Sequence, residues 1–235
     1  MYGSDEEQVE ALKTWWKENG SSLITGVLLA LVVFFGVRQW QSWREGSAAV
    51  ASDLYQQMSN LAVSSVNTPV TDEQLGQAEV VYGRLKSEFE NSVYSRYAAL
   101  AMAKFLVEKG DEARAATELQ WILDHPDLGL LQKPEDALLM VARLRLARVK
   151  LSLGDAAAAL ALLREVEPGD FTASYSELEG DILLEQGNQD GAKAAYLRAL
   201  LSTEAVNPVL LQLKLQELGV SPADLPVPPS AVEAL

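Results

Sequence analysis

The chain contains few of the side chains that usually catalyse reactions or bind metals, because its 235 residues include one histidine and no cysteine. Without cysteine there is no disulfide, thiolate metal site or cysteine nucleophile. The single histidine, His125, excludes a multi-histidine metal site and would be a lone candidate for a general base. Its position between Asp124 and Pro126, at the end of a predicted helix, instead predicts a solvated or helix-capping side chain.

Carboxylate pairs are the remaining groups that could bind a cation or transfer protons. The pairs Asp124/Asp127 and Glu135/Asp136 lack the ligand spacing and the loop glycine of an EF-hand. The chain also contains no phosphate-binding loop, dinucleotide-binding glycine pattern or G-x-S-x-G elbow. We therefore predict solvated helix ends, no catalytic residue, no metal and no cofactor. A hydrolase with an unrecognised carboxylate pair is the enzymatic alternative.

One basic cluster stands out in a chain whose net charge is −14. It comprises Arg143, Arg145, Arg148 and Lys150. On a helix, Arg145 and Arg148 share one side, and the other two share another. The cluster is interpreted either as solvated flanks that offset neighbouring acids or as an anchor for an acidic segment of a partner. Nucleic acid is disfavoured as a partner, because the chain past residue 45 carries 15 basic and 27 acidic groups, a balance of −12.

The elements that would position these residues begin with an uncharged segment near the N-terminus. The 19 residues 19–37 lie between Glu18 and Arg38. As a helix they would extend about 28 Å, close to the roughly 30 Å hydrocarbon core of a bilayer. We predict a transmembrane helix within 19–43, preceded by a short acidic tail, 1–18. Tryptophans at the predicted membrane interfaces are Trp15, Trp16, Trp40 and Trp43.

Two alternatives to an uncleaved anchor are a buried core helix and a cleaved signal peptide. A core helix is usually shorter or amphipathic. A signal peptide is disfavoured because the A-x-A-like sequence Ala49-Val50-Ala51 lies well past the apolar run and the preceding segment is acidic. Charge alone does not set the orientation, since two lysines precede the span and two arginines follow it.

Beyond Gly46 the chain predicts an all-α domain, because alanine- and leucine-rich segments with helical spacing alternate with short turns. Three turns resemble each other: Gly110-Asp111, Gly154-Asp155 and Gly187-Asn188. Glycine suits the left-handed end of a helix, and Asp or Asn can cap the next helix. The last two turns are 33 residues apart (154 to 187), near the 34-residue tetratricopeptide period, and the first two are 44 apart (110 to 154). A loop over 124–136 accounts for the longer interval.

Earlier helices are predicted from spacing and caps. Val50, Leu54, Met58 and Leu61 recur at helical intervals. Thr71 is a predicted N-cap of the helix that follows.

The last repeat matches the tetratricopeptide motif best. Its small and aromatic packing positions are occupied by Gly180, Ala192, Tyr196 and Ala199. Glu179 departs from the motif, because it stands where leucine is usual. We predict a tetratricopeptide-like helical-hairpin solenoid over 47–218, capped by a helix from Pro208 to Leu218. A non-repetitive helical bundle is the alternative. The proline-rich segment 219–235 is predicted to be a mobile tail.

Three parts of the sequence carry a family resemblance, namely Asp5–Gly20, Trp40 after the span and Leu144–Val149. They closely resemble the YfgM family, ancillary subunits of the bacterial SecYEG translocon. The resemblance covers about Asp5 to Leu218. It implies a single-pass protein of the bacterial inner membrane, with a cytoplasmic N-terminus and a periplasmic tetratricopeptide-like domain. The absence of cysteine is compatible with an oxidising periplasm.

The resemblance also implies partners and a role. The partners are the SecYEG translocon and a PpiD-type membrane-anchored periplasmic chaperone, with unfolded secreted chains as further candidates. The lipid bilayer would surround 19–37. The predicted protein is a non-enzymatic adaptor that assists secreted or outer-membrane chains, and no catalytic residue is implied. The alternative is an envelope scaffold or stress-signalling regulator that acts through protein–protein contacts independent of secretion.

Overall fold

A computed structural model describes residues 3–64, 69–126, 135–202 and 207–226, with side chains described throughout except at 3–7, 11, 41–45 and 64. Over these ranges the chain forms α-helices and two short 3-10 helices and no strand, which confirms the all-α prediction. The α-helices are α1 (Gly3–Ser64), α2 (Asp72–Glu88), α3 (Val93–Glu108), α4 (Glu112–Asp124), α5 (Asp136–Ser152), α6 (Ala156–Arg164), α7 (Thr172–Glu185), α8 (Gln189–Leu201) and α9 (Pro208–Glu217).

The predicted membrane span lies within α1, a continuous helix of 62 residues. Its stretch Gln8–Trp40 is long and apolar enough to cross a membrane, and little of it is buried. Apolar side chains such as Val32 and Phe35 are exposed. The core helix of a soluble domain would bury them, so the structure disfavours that alternative. The chain divides into two compact units, Met1–Val50 and Ala51–Leu235.

The second unit begins within the last turns of α1, at Ala51. The buried face of these turns differs from the predicted one at its first position. Ala51, Leu54 and Met58 are buried, whereas Val50 is exposed. The small side chain of Ala51 fits where α1 packs closely against the first apolar cluster. Val50, one residue earlier, points away from this cluster. Thr71 caps α2 as predicted, in a reciprocal capping box with Gln74.

The turns Gly110-Asp111, Gly154-Asp155 and Gly187-Asn188 share one backbone geometry, as predicted. Their glycines have φ angles of 78°, 81° and 78°, in the left-handed region that glycine enters at little cost. The Asp or Asn side chain then accepts a hydrogen bond from the backbone N–H three residues later, at the start of the next helix. The α3–α4, α5–α6 and α7–α8 hairpins therefore have the same type of turn, a left-handed glycine followed by an N-capping Asp or Asn.

Helices of the second unit pack mainly against their neighbours in sequence, as in a solenoid. In addition, α5 contacts both α3 and α7, so that these three helices form a row. Because each begins a hairpin of the repeat, side chains at equivalent positions of the three helices lie alongside one another. The cores beneath them are three apolar clusters, of which the one nearest the C-terminus is centred on Tyr196 and Leu200.

The C-terminal helix α9 covers the end of the stack as predicted. It buries Leu211 and Leu215, and Gly219 ends it with a φ of 84°. The segment after it differs from the expected mobile tail, because Val220 and Leu225 pack against the last apolar cluster and Pro222–Asp224 forms a 3-10 helix. The proline content did not reveal these two apolar anchors. Residues 227–235 of the tail and 127–134 of the predicted loop lie outside the described residues.

Candidate binding face

The α3–α5–α7 row presents side chains to solvent in one stripe per helix. On α5 the stripe is Val141, Arg145, Arg148 and Ser152. Equivalent positions lie 44 residues earlier on α3 and 33 later on α7, the same intervals as the turns. We name the three stripes together the row face. Its members on α3 are Tyr97, Ala101, Lys104 and Glu108. On α7 they are Ser174, Asp181 and Glu185, together with Glu177, because Leu178, which lies 33 residues after Arg145, is buried.

The structure divides the predicted basic cluster as helical spacing indicated. Arg143 and Lys150 are half-buried, away from the row face, whereas Arg145 and Arg148 are exposed on it. Arg143 forms an ion pair with Glu165, which follows α6. This pair fits the interpretation of Arg143 as a flank that offsets a neighbouring acid, and it separates Arg143 from the two arginines of the row face.

Arg145 and Arg148 lie close together on α5, and the charge of one acts on the other. Within the part of the chain that the structure describes, no acid lies within ion-pairing distance (4.0 Å) of either guanidinium. Arg145 reaches towards α3, where Nη1 donates a hydrogen bond to the carbonyl of Leu100 at 3.3 Å. Partial burial there, and secondly the charge of Arg148, lower the pKa of Arg145.

The other charges of the row face are largely matched within the protein. Lys104 lies 3.3 Å from Glu108 on the same helix. Lys214 of α9 donates to Glu177 at 2.9 Å and to Asp181 at 2.7 Å. Sequence reasoning missed this pairing, because Lys214 lies 33 residues beyond Asp181 and the placement of α9 decides which acids it meets. The two arginines therefore differ from their neighbours in lacking a described counter-ion.

Glu179, the predicted departure from the repeat motif, serves as a shared ion-pair partner. Its carboxylate accepts from Nη2 of Arg164 at 2.8 Å and also from Arg198. These arginines lie at the end of α6 and on α8, so Glu179 links the α7–α8 hairpin to the preceding helix. The substitution of a charged residue for the usual leucine is thus explained by packing within the domain.

His125 caps the C-terminal end of α4, as its position predicted. Its ring stacks on Trp121 with 5.0 Å between ring centroids, and Nδ1 lies 2.9 Å from the Trp121 carbonyl oxygen. Among the described residues no group of three or more His, Cys, Asp or Glu side chains could hold a metal ion. The carboxylate of Glu135 accepts a hydrogen bond from Tyr97, and Asp127 lies outside the described residues.

The predicted interfacial tryptophans lie on α1. Trp15, Trp16 and Trp40 are exposed, as expected of side chains at a lipid–water boundary. The side chain of Trp43 lies outside the described part of the chain.

The chain is similar to known proteins over nearly its whole length. A family model described as a tetratricopeptide repeat-like domain matches residues 13–220. Proteins named "Ancillary SecYEG translocon subunit" from Escherichia coli (strain K12), Haemophilus influenzae and Neisseria gonorrhoeae are 32%, 29% and 25% identical to it. The matches cover 94%, 91% and 91% of this chain and 99%, 97% and 97% of the respective relatives. No solved structure matches the chain significantly.

Proposed function

Because the chain belongs to the family of tetratricopeptide repeat-like ancillary SecYEG translocon subunits, we propose that it is a membrane-anchored, non-enzymatic adaptor associated with the bacterial Sec translocon. The observation that carries this proposal is the extent of the similarity. The alignment with the E. coli relative covers 94% of this chain and 99% of that protein. It therefore includes both the apolar part of α1 and the repeat domain, instead of a repeat module alone.

The anchor is proposed to be a single span through the inner membrane, with the N-terminus in the cytoplasm and the repeat domain in the periplasm. The exposed apolar side chains of α1 support the span, because lipid would cover them. The family resemblance supports the orientation. The cysteine-free sequence makes the orientation easy to measure. A single cysteine introduced at Asp190 should react in intact cells with a maleimide that crosses the outer but not the inner membrane. A cysteine at Gln8 should react after lysis alone.

The adaptor is further proposed to bind a PpiD-type membrane-anchored chaperone and to act on secreted or outer-membrane chains as they leave the channel. Tethering supports this role physically. An anchored domain meets partners in the same membrane at a high effective concentration, without any additional contact. Stacked helical hairpins offer an extended surface of the kind used to bind peptide segments and other domains.

Co-isolation from native membranes tests the proposal. The tagged full-length chain, extracted into lipid nanodiscs without detergent, should recover SecYEG subunits and the chaperone. An anchor-exchanged control that carries an unrelated span should recover less of the translocon if the span contributes to binding. Recovery of a different envelope assembly, together with unchanged secretion after depletion, would instead support a scaffold or stress-signalling regulator.

A further inference from the structure

Arg145 and Arg148 are an unusual pair in this domain, because they concentrate positive charge on a surface whose surroundings are acidic. The chain past residue 45 has a balance of −12, and most described cations of the domain pair with a carboxylate. These two arginines are exposed, and no carboxylate within the described ranges neutralises them. Two like charges at i and i+3 on a helix repel each other. An external anion would relieve that repulsion.

The pair is also partly positioned for binding before any ligand arrives. The hydrogen bond from Nη1 of Arg145 to the Leu100 carbonyl holds this side chain across the gap between α5 and α3. A guanidinium has five N–H donors, so several remain for a ligand. The planar arrangement of those donors matches the two oxygens of a carboxylate. Holding one arginine in place reduces the side-chain entropy lost on binding.

The neighbouring charges limit the size of the anion. On α3, Lys104 is paired with Glu108 at 3.3 Å. On α7, Glu177 and Asp181 are held by Lys214. Among the described residues of the row face, the cations without a carboxylate partner thus lie on the middle helix, α5. Glu108 and Glu185 are exposed at one end of the face. A long polyanion such as nucleic acid would meet these acids, whereas one or two adjacent carboxylates would not.

The side chains beside the arginines favour a peptide as the carrier of those carboxylates. Val141 and Ala101, at neighbouring positions of the row face, are partly exposed and apolar. They can contact the uncharged residues on either side of an acidic pair. Charge-assisted hydrogen bonds would supply the main affinity and the apolar contacts would add to it.

We propose that Arg145 and Arg148 form a carboxylate-binding site on the row face, which holds an extended segment of a partner protein through one or two adjacent acidic side chains. Arg143 is excluded from this site, because it pairs with Glu165. The proposal does not depend on association with the translocon. It is tested with purified components, so either proposal can fail without the other.

The test measures binding of two labelled peptides to the full-length protein in nanodiscs by fluorescence anisotropy. One peptide has an Asp-Glu pair flanked by alanine and valine, and the other has Asn-Gln in its place. The acidic peptide should bind at least about tenfold more tightly than the amide peptide. Higher ionic strength should weaken the binding of the acidic peptide. The double variant Arg145→Ser/Arg148→Ser should lose this preference.

The matched control is Arg84→Ser/Lys193→Ser, which removes the same charge from α2 and α8 and should retain the preference. If the double arginine variant does not fold, Arg148→Ser alone gives the same information, because Arg148 is exposed and has no hydrogen bond to another described side chain. The proposal would be overturned if the natural protein bound the two peptides equally. It would also be overturned if the control variant lost the preference for the acidic peptide as fully as the arginine variant does. Tighter binding of a single-stranded oligonucleotide at the same arginines would overturn it as well.

Discussion

A Cβ atom placed on Gly180 would lie 2.3 Å from Cε1 of Tyr196, so the backbone of α7 and the aromatic ring of α8 are in direct contact. The ring is almost fully buried, and its hydroxyl donates to Asp181 at 2.7 Å. Glycine is therefore required here by the space available and not by the backbone angle. This contact sets the distance between α7 and α8 in the last hairpin, and α7 is one of the three helices of the row face.

Replacing Gly180 with alanine should lower the free energy of unfolding by about 1–3 kcal/mol, because the ring or the helix must move to admit the methyl group. Gly83→Ala is the matched control, since a Cβ atom placed on Gly83 of α2 would meet nothing from the rest of the fold within 4 Å. That substitution should instead stabilise the domain by about 0.5–1 kcal/mol through helix propensity. Urea unfolding measures both. Two effects of the same sign would contradict the described contact.

The turn at Gly154 should respond to substitution for a different reason. Its φ of 81° is left-handed and the space around it is open, so Gly154→Ala should cost about 1–2 kcal/mol through backbone strain alone. Asparagine tolerates this conformation better, and Gly154→Asn should cost less than alanine. Thermal or urea unfolding distinguishes the two variants. Similar stability of the alanine variant and the natural chain would mean that the turn is not held in this geometry.

The hydrogen bond between Tyr97 of α3 and Glu135, the N-cap residue of α5, should make the stability of the fold depend on pH. The hydrogen bond from Tyr97 to Glu135, with partial burial, raises the pKa of Tyr97 to about 12. Because the folded pKa lies above the usual value near 10, the neutral phenol stabilises the fold below pH 10, and this contribution is lost as the pH rises through about 12. The carbon-13 shift of the Tyr97 Cζ atom reports the titration. Glu135→Gln should lower this pKa, and an unchanged value would contradict the bond.

The anchor should fail when charge is placed at its centre. Leu28→Arg/Val32→Arg should disfavour insertion by about 5–7 kcal/mol and shift the protein from the alkali-resistant membrane fraction to the soluble fraction. Val209→Arg/Leu213→Arg is the control, because both side chains are exposed on α9 and outside the proposed span. Equal retention of both variants in the membrane would contradict the assignment of α1 as the anchor.

Local signals in the sequence were sufficient to predict the helical hairpins, but not to predict which charged side chains pair with each other. The Gly-Asp and Gly-Asn turns specify their own backbone geometry, so their positions could be predicted. Helical spacing predicts Val50 on the buried face of α1, but Ala51 is buried there instead. Alanine has too little apolar surface for the sequence to indicate this closer packing. Whether Arg145 has an acidic partner could not be predicted from the sequence either. Whether an arginine is paired depends on acids that other helices bring near it, as Glu165 is brought to Arg143.

Photo-crosslinking in living cells is the sharpest test of whether the chain is a membrane-anchored adaptor at the Sec translocon, since the membrane stays intact. Photoreactive residues would replace Val27 and Val32 in the span, and Val141 and Ser152 on the row face, with Gly83 on α2 for comparison. We predict adducts with a translocon subunit from at least one span position, and adducts with a chaperone or a secreted chain from the row face. Adducts exclusively with an unrelated envelope assembly would contradict the claim.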